Sequence, residues 1–397
     1  MEMAEVKDVL LMLLKDSLQK NRIPELQTVD CDWGALIETA QRHGVISLLY
    51  EALRKQKLEE GDMRRATQLT RTVVRQNYRL LVLTHQLLEL FGQNGIPVVL
   101  LKGMGTASFY PVAELRKSGD IDLLLLDAKK LDAAGDCLKT FGCRVEEWQP
   151  SLHHIVFRSP AGDAKIEIEL HTMLAEPFDN QSVNVLLQEQ VSLCSRQLTT
   201  VSVAGVELTI LDTACHGYEL LLHMLQHFLR SGFGLKLLCD WVVFWNRETD
   251  EEQQNRYLEL VGECGIKKFS DLVTLTCIEY LGLPAGRVAF MDLDRSLDAG
   301  EFMQEILEAE EFGKSSRDRM VALRGNSISD YVREFHHQMH LNYPAAGKWV
   351  VLWPVLWGMT LLRFLVNNRR VRHISLFSVM KKAGQRGKII KKLQLFK

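Results

Sequence analysis

Apolar residues follow two different periodicities along this chain. Helical spacing covers residues 5–20, 33–58 and 63–93 and returns beyond Asp212, which is a candidate N-cap. Short apolar or alternating runs, typical of β-strands, lie between these helical parts. The pattern therefore predicts a central strand-bearing part with helical regions on both sides.

The boundaries of these parts follow from the same pattern. The expected divisions are an N-terminal helical region, the strand-bearing core, a C-terminal helical region, and an apolar segment with a basic tail: 1–94, 95–210, 211–345 and 346–397. Residues 197–203 and 206–210 read as a hairpin that turns at Ala204-Gly205.

The stretch 98–126 carries the strongest chemical pattern. It reads as a strand, a turn at Gly103, a short helix that Pro111 ends, and a second strand that opens with Asp120 and Asp122. Since side chains alternate along a strand, both aspartates point to the same face, about 7 Å apart. Neighbouring carboxylates beside an apolar run are costly unless a cation neutralises them, and Mg²⁺ or Mn²⁺ suits such oxygen ligands.

A further strand, 165–171, brings more carboxylates. Its alternation puts Glu167, Glu169 and His171 on one face and the isoleucines on the other. A third acid beside the aspartate pair would complete the ligand set of a two-metal site. The residues alone leave the choice between the two glutamates open.

These residues also carry a resemblance. The ordered set Leu100-Leu-Lys-Gly103, Tyr110-Pro111, Arg116 and Ser118-Gly-Asp-Ile-Asp-Leu123 resembles a bacterial family of uncharacterised nucleotidyltransferases within the polymerase-β superfamily. The N-terminal string from Asp32-Trp33 to Leu49-Tyr50 is similar to the helical region of the same family.

The resemblance implies an α+β fold, a small mixed β-sheet nucleotidyltransferase core flanked by N-terminal and C-terminal helical regions. It implies a metal-dependent enzyme that moves a nucleoside monophosphate from an NTP to an unknown hydroxyl acceptor. Asp120, Asp122 and Glu169 would hold Mg²⁺ or Mn²⁺. Glu169 is preferred over Glu167 because Glu169-Leu-His171 looks like the acidic-Leu-His element of the family.

Nearby residues would bind the nucleotide. Lys102 and Arg116 are the nearest cations for the phosphates, and Gly103 would let the backbone approach them. The sequence departs from the superfamily pattern at Met104, where a serine or glycine is usual. A hydroxyl contact to phosphate is then missing unless Thr106 supplies it.

Other candidates are less defined. His171 could orient Glu169, contact phosphate or simply pack, and Lys236 could meet the triphosphate. Asp240 could pair with Lys236, four residues before it. The helix that begins near residue 213 carries His216, His223 and His227 on one face, either as a packed or substrate-facing stripe or as metal ligands.

Charge is unevenly placed along the 397 residues. The net charge is −2, but residues 363–397 hold eleven lysines and arginines and no acid, against 37 basic and 50 acidic residues elsewhere. This tail could bind RNA, anionic lipid or an acidic partner, or remain solvated. The tryptophan-rich segment 349–362 before it indicates core packing, with a membrane-surface or partner patch as the alternative.

The composition of the chain indicates its cellular compartment. Eight cysteines lie mostly in apolar segments without a C-x-x-C pair, which predicts reduced, buried thiols. We expect no signal peptide and no transmembrane segment, because neither a basic start with an apolar run nor about 18 uncharged apolar residues in a row occurs. The expected location is cytoplasmic, with peripheral membrane contact through the tail as a further option.

Two other functions stay open at this stage. One is a non-catalytic nucleotide-binding, regulatory or antitoxin-like protein with the same fold, which the departure at Met104 favours. The other is an RNA-modifying nucleotidyltransferase that uses the basic tail, which predicts steep salt dependence of binding.

Overall fold

The structure is a computed structural model, and it describes most of the chain. The described residues are 5–19, 30–147, 154–160, 165–178, 180–230, 232–309, 336, 339, 343, 349–367 and 387–396. Much of the predicted basic tail, residues 368–386 and 397, lies outside them.

Helices surround a sheet of short strands. The α-helices are α1 Val6–Ser17, α2 Trp33–Arg42, α3 Tyr50–Leu53, α4 Glu60–Gln93, α5 Met104–Ala107, α6 Leu131–Thr140, α7 Gln181–Cys194, α8 Thr213–Arg230, α9 Leu235–Trp245, α10 Glu251–Glu263, α11 Lys267–Leu281, α12 Ala299–Ala309 and α13 Trp353–Asn367. Short 3₁₀ helices are Ala113–Leu115, Ala128–Lys130, Ala285–Met291 and Val350–Leu352. The strands are β1 Val98–Leu100, β2 Asp120–Leu125, β3 Arg144–Glu147, β4 His154–Arg158, β5 Glu167–His171, β6 Leu198–Val203 and β7 Val206–Leu211.

The strands form one mixed sheet within the described residues. Its order is β3-β4-β5-β2-β1-β7-β6. β2 runs parallel to β5 and antiparallel to β1, while β1 runs parallel to β7. The sheet and its flanking helices confirm the expected α+β class with a small mixed sheet.

Local sequence signals set many element boundaries as predicted. Asp32 caps α2 by accepting a hydrogen bond of 2.9 Å from the backbone N–H of Ala35, and Asp212 caps α8 in the same way through Cys215. The long helix α4 ends at Gln93, just before Gly95 at a φ of +63°. The predicted hairpin is formed by β6 and β7, with Ala204 and Gly205 at positive φ in the turn.

Other predictions need correction. The short helix after Gly103 has a single turn, Met104–Ala107, and ends well before Pro111. The helical periodicity predicted over 33–58 corresponds to two helices, α2 and α3, because the chain turns at Gly44, whose φ is +71°. Strand β3 was not predicted, since its four residues are polar or charged except for Val145.

A continuous hydrophobic core joins the helical regions to the sheet. α4 packs on β1, β2 and β7, and α8 packs on β7 from the C-terminal side of the chain. α1 packs against both α2 and α11, so the N-terminal and C-terminal helical regions contact each other directly. None of the described helices is both long and apolar enough to cross a membrane.

Two expectations about side chains are wrong. Cys194 and Cys215 form a disulfide between α7 and α8, so not every cysteine is a reduced thiol. Their 21-residue separation gives no sequence signal of this contact. The expectation of core packing is also wrong for the start of the tryptophan-rich segment, because Trp349 is 69% exposed and Val351 is 88% exposed, whereas Leu356 is buried.

Candidate active site

Three carboxylates from two neighbouring strands meet on one face of the sheet. Because β2 and β5 pair in parallel with Asp122 opposite Glu169, the side chains of Asp120, Asp122 and Glu169 point the same way. One oxygen from each lies within 4.8 Å of the others. Glu167 is instead engaged by Arg158, whose Nη2 lies 2.9 Å from the Glu167 carboxylate.

Asp122 is the centre of this group. Its side chain is fully buried, and its Oδ1 accepts hydrogen bonds from Lys102 Nζ at 3.1 Å and His171 Nε2 at 3.0 Å. Burial alone would raise the pKa of Asp122, but Lys102 and His171 together lower it well below its usual range. Its other oxygen, Oδ2, is buried and has no hydrogen-bond partner among the described residues.

His171 links two of the acids. Its Nε2 also lies 3.2 Å from Glu169 Oε2, so one imidazole contacts carboxylates on both strands. Burial lowers the pKa of His171, but the hydrogen bonds to Asp122 and Glu169 outweigh burial and raise it to about 9. Of the roles considered for His171, this geometry matches the orientation of Glu169.

The surroundings of Asp120 shift its pKa in the opposite direction to that of Asp122. Burial and the charge of Asp122 raise the pKa of Asp120 to about 6, and the positive charges of Lys102 and Lys236 offset only part of this. Lys236 is mostly buried on α9, and its charge reaches the acid cluster. Two carboxylates on one strand thus differ sharply in how readily they ionise.

The glycine turn approaches the acids from β1. Gly103 has a φ of +62° and a ψ of −120°, a conformation that side chains with a Cβ rarely adopt. Lys102, just before it, carries the ammonium that reaches Asp122. The local sequence thus brings one cation and one tight glycine turn to the edge of the acid cluster.

Arg116 does not take the role expected from the sequence. Its guanidinium is 4% exposed and binds Asp240 with two hydrogen bonds of 2.7 Å, and Nη1 donates to the carbonyl of Gly103 at 3.1 Å. The expectation that Arg116 neutralises phosphate is therefore wrong in this geometry, because its donors hold the glycine turn. Asp240 pairs with Arg116 and accepts a hydrogen bond from the hydroxyl of Tyr110.

Helix α8 contributes His223, a candidate from the sequence, and Glu219, which sequence reasoning missed. His223 Nδ1 lies 3.3 Å from Lys102 Nζ, and Glu219 is buried with an Oε2 that has no hydrogen-bond partner among the described residues. Burial raises the pKa of Glu219 to about 7, although Lys102 draws it down. Spacings of three and four residues put His216, Glu219 and His223 on one helix face, which was the available signal.

The hydroxyl expected from Thr106 is not available to a phosphate. Thr106 is fully buried, and its Oγ1 lies 3.2 Å from His216 Nε2. His216 also packs against the ring of Phe244, with ring centroids 5.2 Å apart. His216 is thus a packed residue, and burial lowers its pKa to about 3.

Fold and site together define a mixed α/β protein whose sheet presents a carboxylate trio suited to a divalent cation. Residues 30–282 match the model of a family described as uncharacterised nucleotidyltransferases, and the chain belongs to this family. No curated protein matches the chain.

Among solved structures, the chain is similar to an antigenic nucleotidyltransferase-like protein from Paracoccidioides brasiliensis. That crystal structure shares 17% sequence identity, with 53% of this chain and 96% of that chain covered and a TM-score of 0.32.

Proposed function

We propose that this nucleotidyltransferase-family protein uses Mg²⁺ or Mn²⁺ at Asp120, Asp122 and Glu169 to transfer a nucleoside monophosphate from an NTP to a hydroxyl acceptor. Family membership supports a nucleotide substrate. The acceptor is open to a small molecule, a glycan precursor, a protein or an RNA end. The metal, the mechanism and the site residues below are parts of this proposal.

One observation carries the proposal. Asp122 Oδ2 is buried without a hydrogen-bond partner among the described residues, while its carboxyl is held ionised by Lys102 and His171. An unpaired buried carboxylate oxygen is costly unless a cation completes its environment. The neighbouring oxygens of Asp120 and Glu169 supply the hard ligands that Mg²⁺ and Mn²⁺ prefer.

Each side chain of the site would have a separate role in this reaction. The acids hold the cation, and His171 fixes the carboxylate of Glu169 toward the centre. Lys102 lies at the cluster edge, where its ammonium can move from Asp122 to an incoming phosphate. A bound divalent ion would supply charge neutralisation of the triphosphate and activation of the acceptor hydroxyl.

The backbone of the glycine turn would also contribute to nucleotide binding. Gly103 has no Cβ to keep a phosphate oxygen away from its own peptide groups, which suits close approach of a phosphate there. The Arg116 clamp on the Gly103 carbonyl keeps this turn in place. Lys236 would add positive charge on the α9 side of the site.

A labelling assay tests the proposal. The protein is incubated with each NTP labelled at the α-phosphate, with Mg²⁺ or Mn²⁺ and cell extract, beside Asp120→Asn and Asp122→Asn. Label on an acceptor that appears only with intact aspartates is expected. Absence of label and of metal-dependent NTP binding in the wild type would instead support the non-catalytic alternative.

We also propose that the basic tail 363–397 contacts an anionic lipid surface. The adjoining segment supports a lipid surface over RNA, because Trp349, Val350, Val351 and Val355 are each more than half exposed and carry no charge. Exposed apolar side chains next to eleven basic residues suit insertion at a lipid headgroup boundary. RNA binding is the competing outcome of the experiment described in the Discussion.

A further inference from the structure

A second group of metal-ligand atoms lies directly beside the carboxylate trio. His154 on β4 is the register partner of His171 on β5, and Glu169 lies two residues before His171 on the same face. One ligand atom from each of these three side chains lies within 4.8 Å of the others. We propose that His154, Glu169 and His171 form a second divalent-cation site with two nitrogen ligands and one oxygen ligand.

The spacing of the best-defined pair fits a shared ion once His171 Nε2 exchanges its hydrogen for the metal, and His171 would then position Glu169 through the ion. His171 Nε2 and Glu169 Oε2 are 3.2 Å apart. Two ligands at right angles, each about 2.1 Å from a metal, lie roughly 3.0 Å apart. The imidazole of His154 approaches that of His171 with ring centroids 5.2 Å apart, which leaves room for an ion between ring nitrogens.

The position in the fold also suits a metal. His171 is buried, whereas His154 and Glu169 are half-buried, so the cluster opens toward the solvent on one side. All three side chains extend from regular strands, and strand positions hold ligands more precisely than loops do.

The donor set assigns a chemical class to the ion. Imidazole nitrogens favour first-row transition metals such as Zn²⁺ and Ni²⁺, whereas Mg²⁺ and Mn²⁺ prefer oxygen ligands, and Mg²⁺ keeps several of its waters. The carboxylate trio offers oxygens alone, and the second group offers two nitrogens. The two groups share Glu169, so a transition metal and Mg²⁺ would bind side by side with one bridging carboxylate.

A hydrogen-bonded network without a metal is the competing explanation of this cluster, and an experiment has to distinguish the two. In the ion-free arrangement the hydrogen on His171 Nε2 is shared by Asp122 and Glu169, and this explains the contacts of His171 with these two acids without a metal. It does not explain why His154 is directly opposite His171 on the same sheet face. Substitution of His154 therefore separates a metal site from a hydrogen-bonded network.

The experiment measures Zn²⁺ binding to the full chain by calorimetry, with Co²⁺ absorption as a second readout of nitrogen ligation. His154→Ala is compared with His85→Ala, which removes an exposed histidine on α4. We expect at least a tenfold loss of Zn²⁺ affinity and a changed Co²⁺ spectrum in His154→Ala alone. His154→Gln, which preserves more of the packing, is expected to show the same loss. Unchanged Zn²⁺ affinity in both His154 variants would overturn the proposal.

The inference rests on the proposed function through the shared Glu169, yet the two fail separately. A wild type that binds Zn²⁺ through His154 but transfers no nucleotide would keep this inference and remove the proposed function. A wild type that transfers label with Mg²⁺, but binds Zn²⁺ no better than His154→Ala does, would keep the function and remove the second site.

Discussion

The guanidinium of Arg116 binds the carboxylate of Asp240 through two hydrogen bonds of 2.7 Å, one from Nε and one from Nη2. The two residues are 124 positions apart, and both side chains are almost fully buried. The pair fastens helix α9 to the segment that precedes β2. Because Arg116 also holds the carbonyl of Gly103, the ion pair stabilises the glycine turn at the candidate active site.

Removal of one partner from this buried pair should be costly. Asp240→Ala leaves an uncompensated guanidinium, and we expect a loss of about 3–5 kcal/mol in the free energy of unfolding. Urea denaturation measures this loss. The control is Asp136→Ala, which breaks an exposed pair with Lys139 on α6 and should change stability little. Equal effects of the two substitutions would contradict the role of the clamp.

The backbone conformation of Gly103 leads to a separate prediction. Gly103→Ala should destabilise the protein by about 1–3 kcal/mol, because a Cβ is strained at this φ and ψ. Steric clash is not the reason, since the added carbon would lie an ordinary 3.5 Å from the carbonyl oxygen of Asp120. Gly61→Ala, in helix α4 with open space around it, serves as the control and should stabilise by up to about 1 kcal/mol. A neutral Gly103→Ala would show that the turn has another conformation.

The two aspartates of β2 should respond to neutralisation with opposite signs. The folded-state pKa of Asp120 is raised to about 6, so this carboxyl destabilises the folded state increasingly as the pH rises from about 4 to 6. Asp120→Asn should therefore stabilise the ion-free protein at pH 7 by roughly 1–3 kcal/mol and have little effect at pH 4. Urea denaturation in EDTA at both pH values measures the difference.

Asp122 supplies the matched comparison. Its pKa is lowered by Lys102 and His171 against the effect of burial, so its ionised form stabilises the fold above its ordinary pKa. Asp122→Asn should destabilise the ion-free protein at pH 7. Destabilisation by both substitutions at this pH would refute the electrostatic account of the site.

Because exposed apolar residues precede the basic tail, we predict that the protein binds anionic membranes. Full-length protein should co-sediment with phosphatidylcholine vesicles that contain phosphatidylglycerol, less with pure phosphatidylcholine, and less at high salt. Val351→Asp should reduce this binding, whereas Val82→Asp, an exposed position on α4, should not. Binding to RNA without vesicle binding would refute the lipid surface and support the RNA-modifying alternative.

Local patterns predicted the face of the sheet that carries the three carboxylates. Strand alternation places Asp120, Asp122 and Glu169 on one face, and the structure brings their oxygens together. The helix caps at Asp32 and Asp212 were predictable for the same reason, since each depends on residues within one turn.

Relationships between distant parts of the chain were not predictable. The ion pair of Asp240 with Arg116 joins residues 124 positions apart, so no rule about sequence neighbours could indicate it. The disulfide between Cys194 and Cys215 and the approach of His223 to Lys102 depend on how α8 docks on the sheet. The exposure of Trp349 was also not predictable, because an apolar residue in the sequence does not show whether other core residues pack against it.

The choice between the two glutamates of β5 tests the central claim most directly. Manganese binding is titrated by electron paramagnetic resonance in the His154→Ala background, which isolates the carboxylate trio from the second site. Glu169→Gln should weaken binding of Mn²⁺ at least tenfold, because it removes one of three ligands, whereas Glu167→Gln removes only a partner of Arg158 and should bind normally. Unchanged Mn²⁺ affinity in Glu169→Gln, or an equal loss in both variants, would contradict a cation site built from Asp120, Asp122 and Glu169.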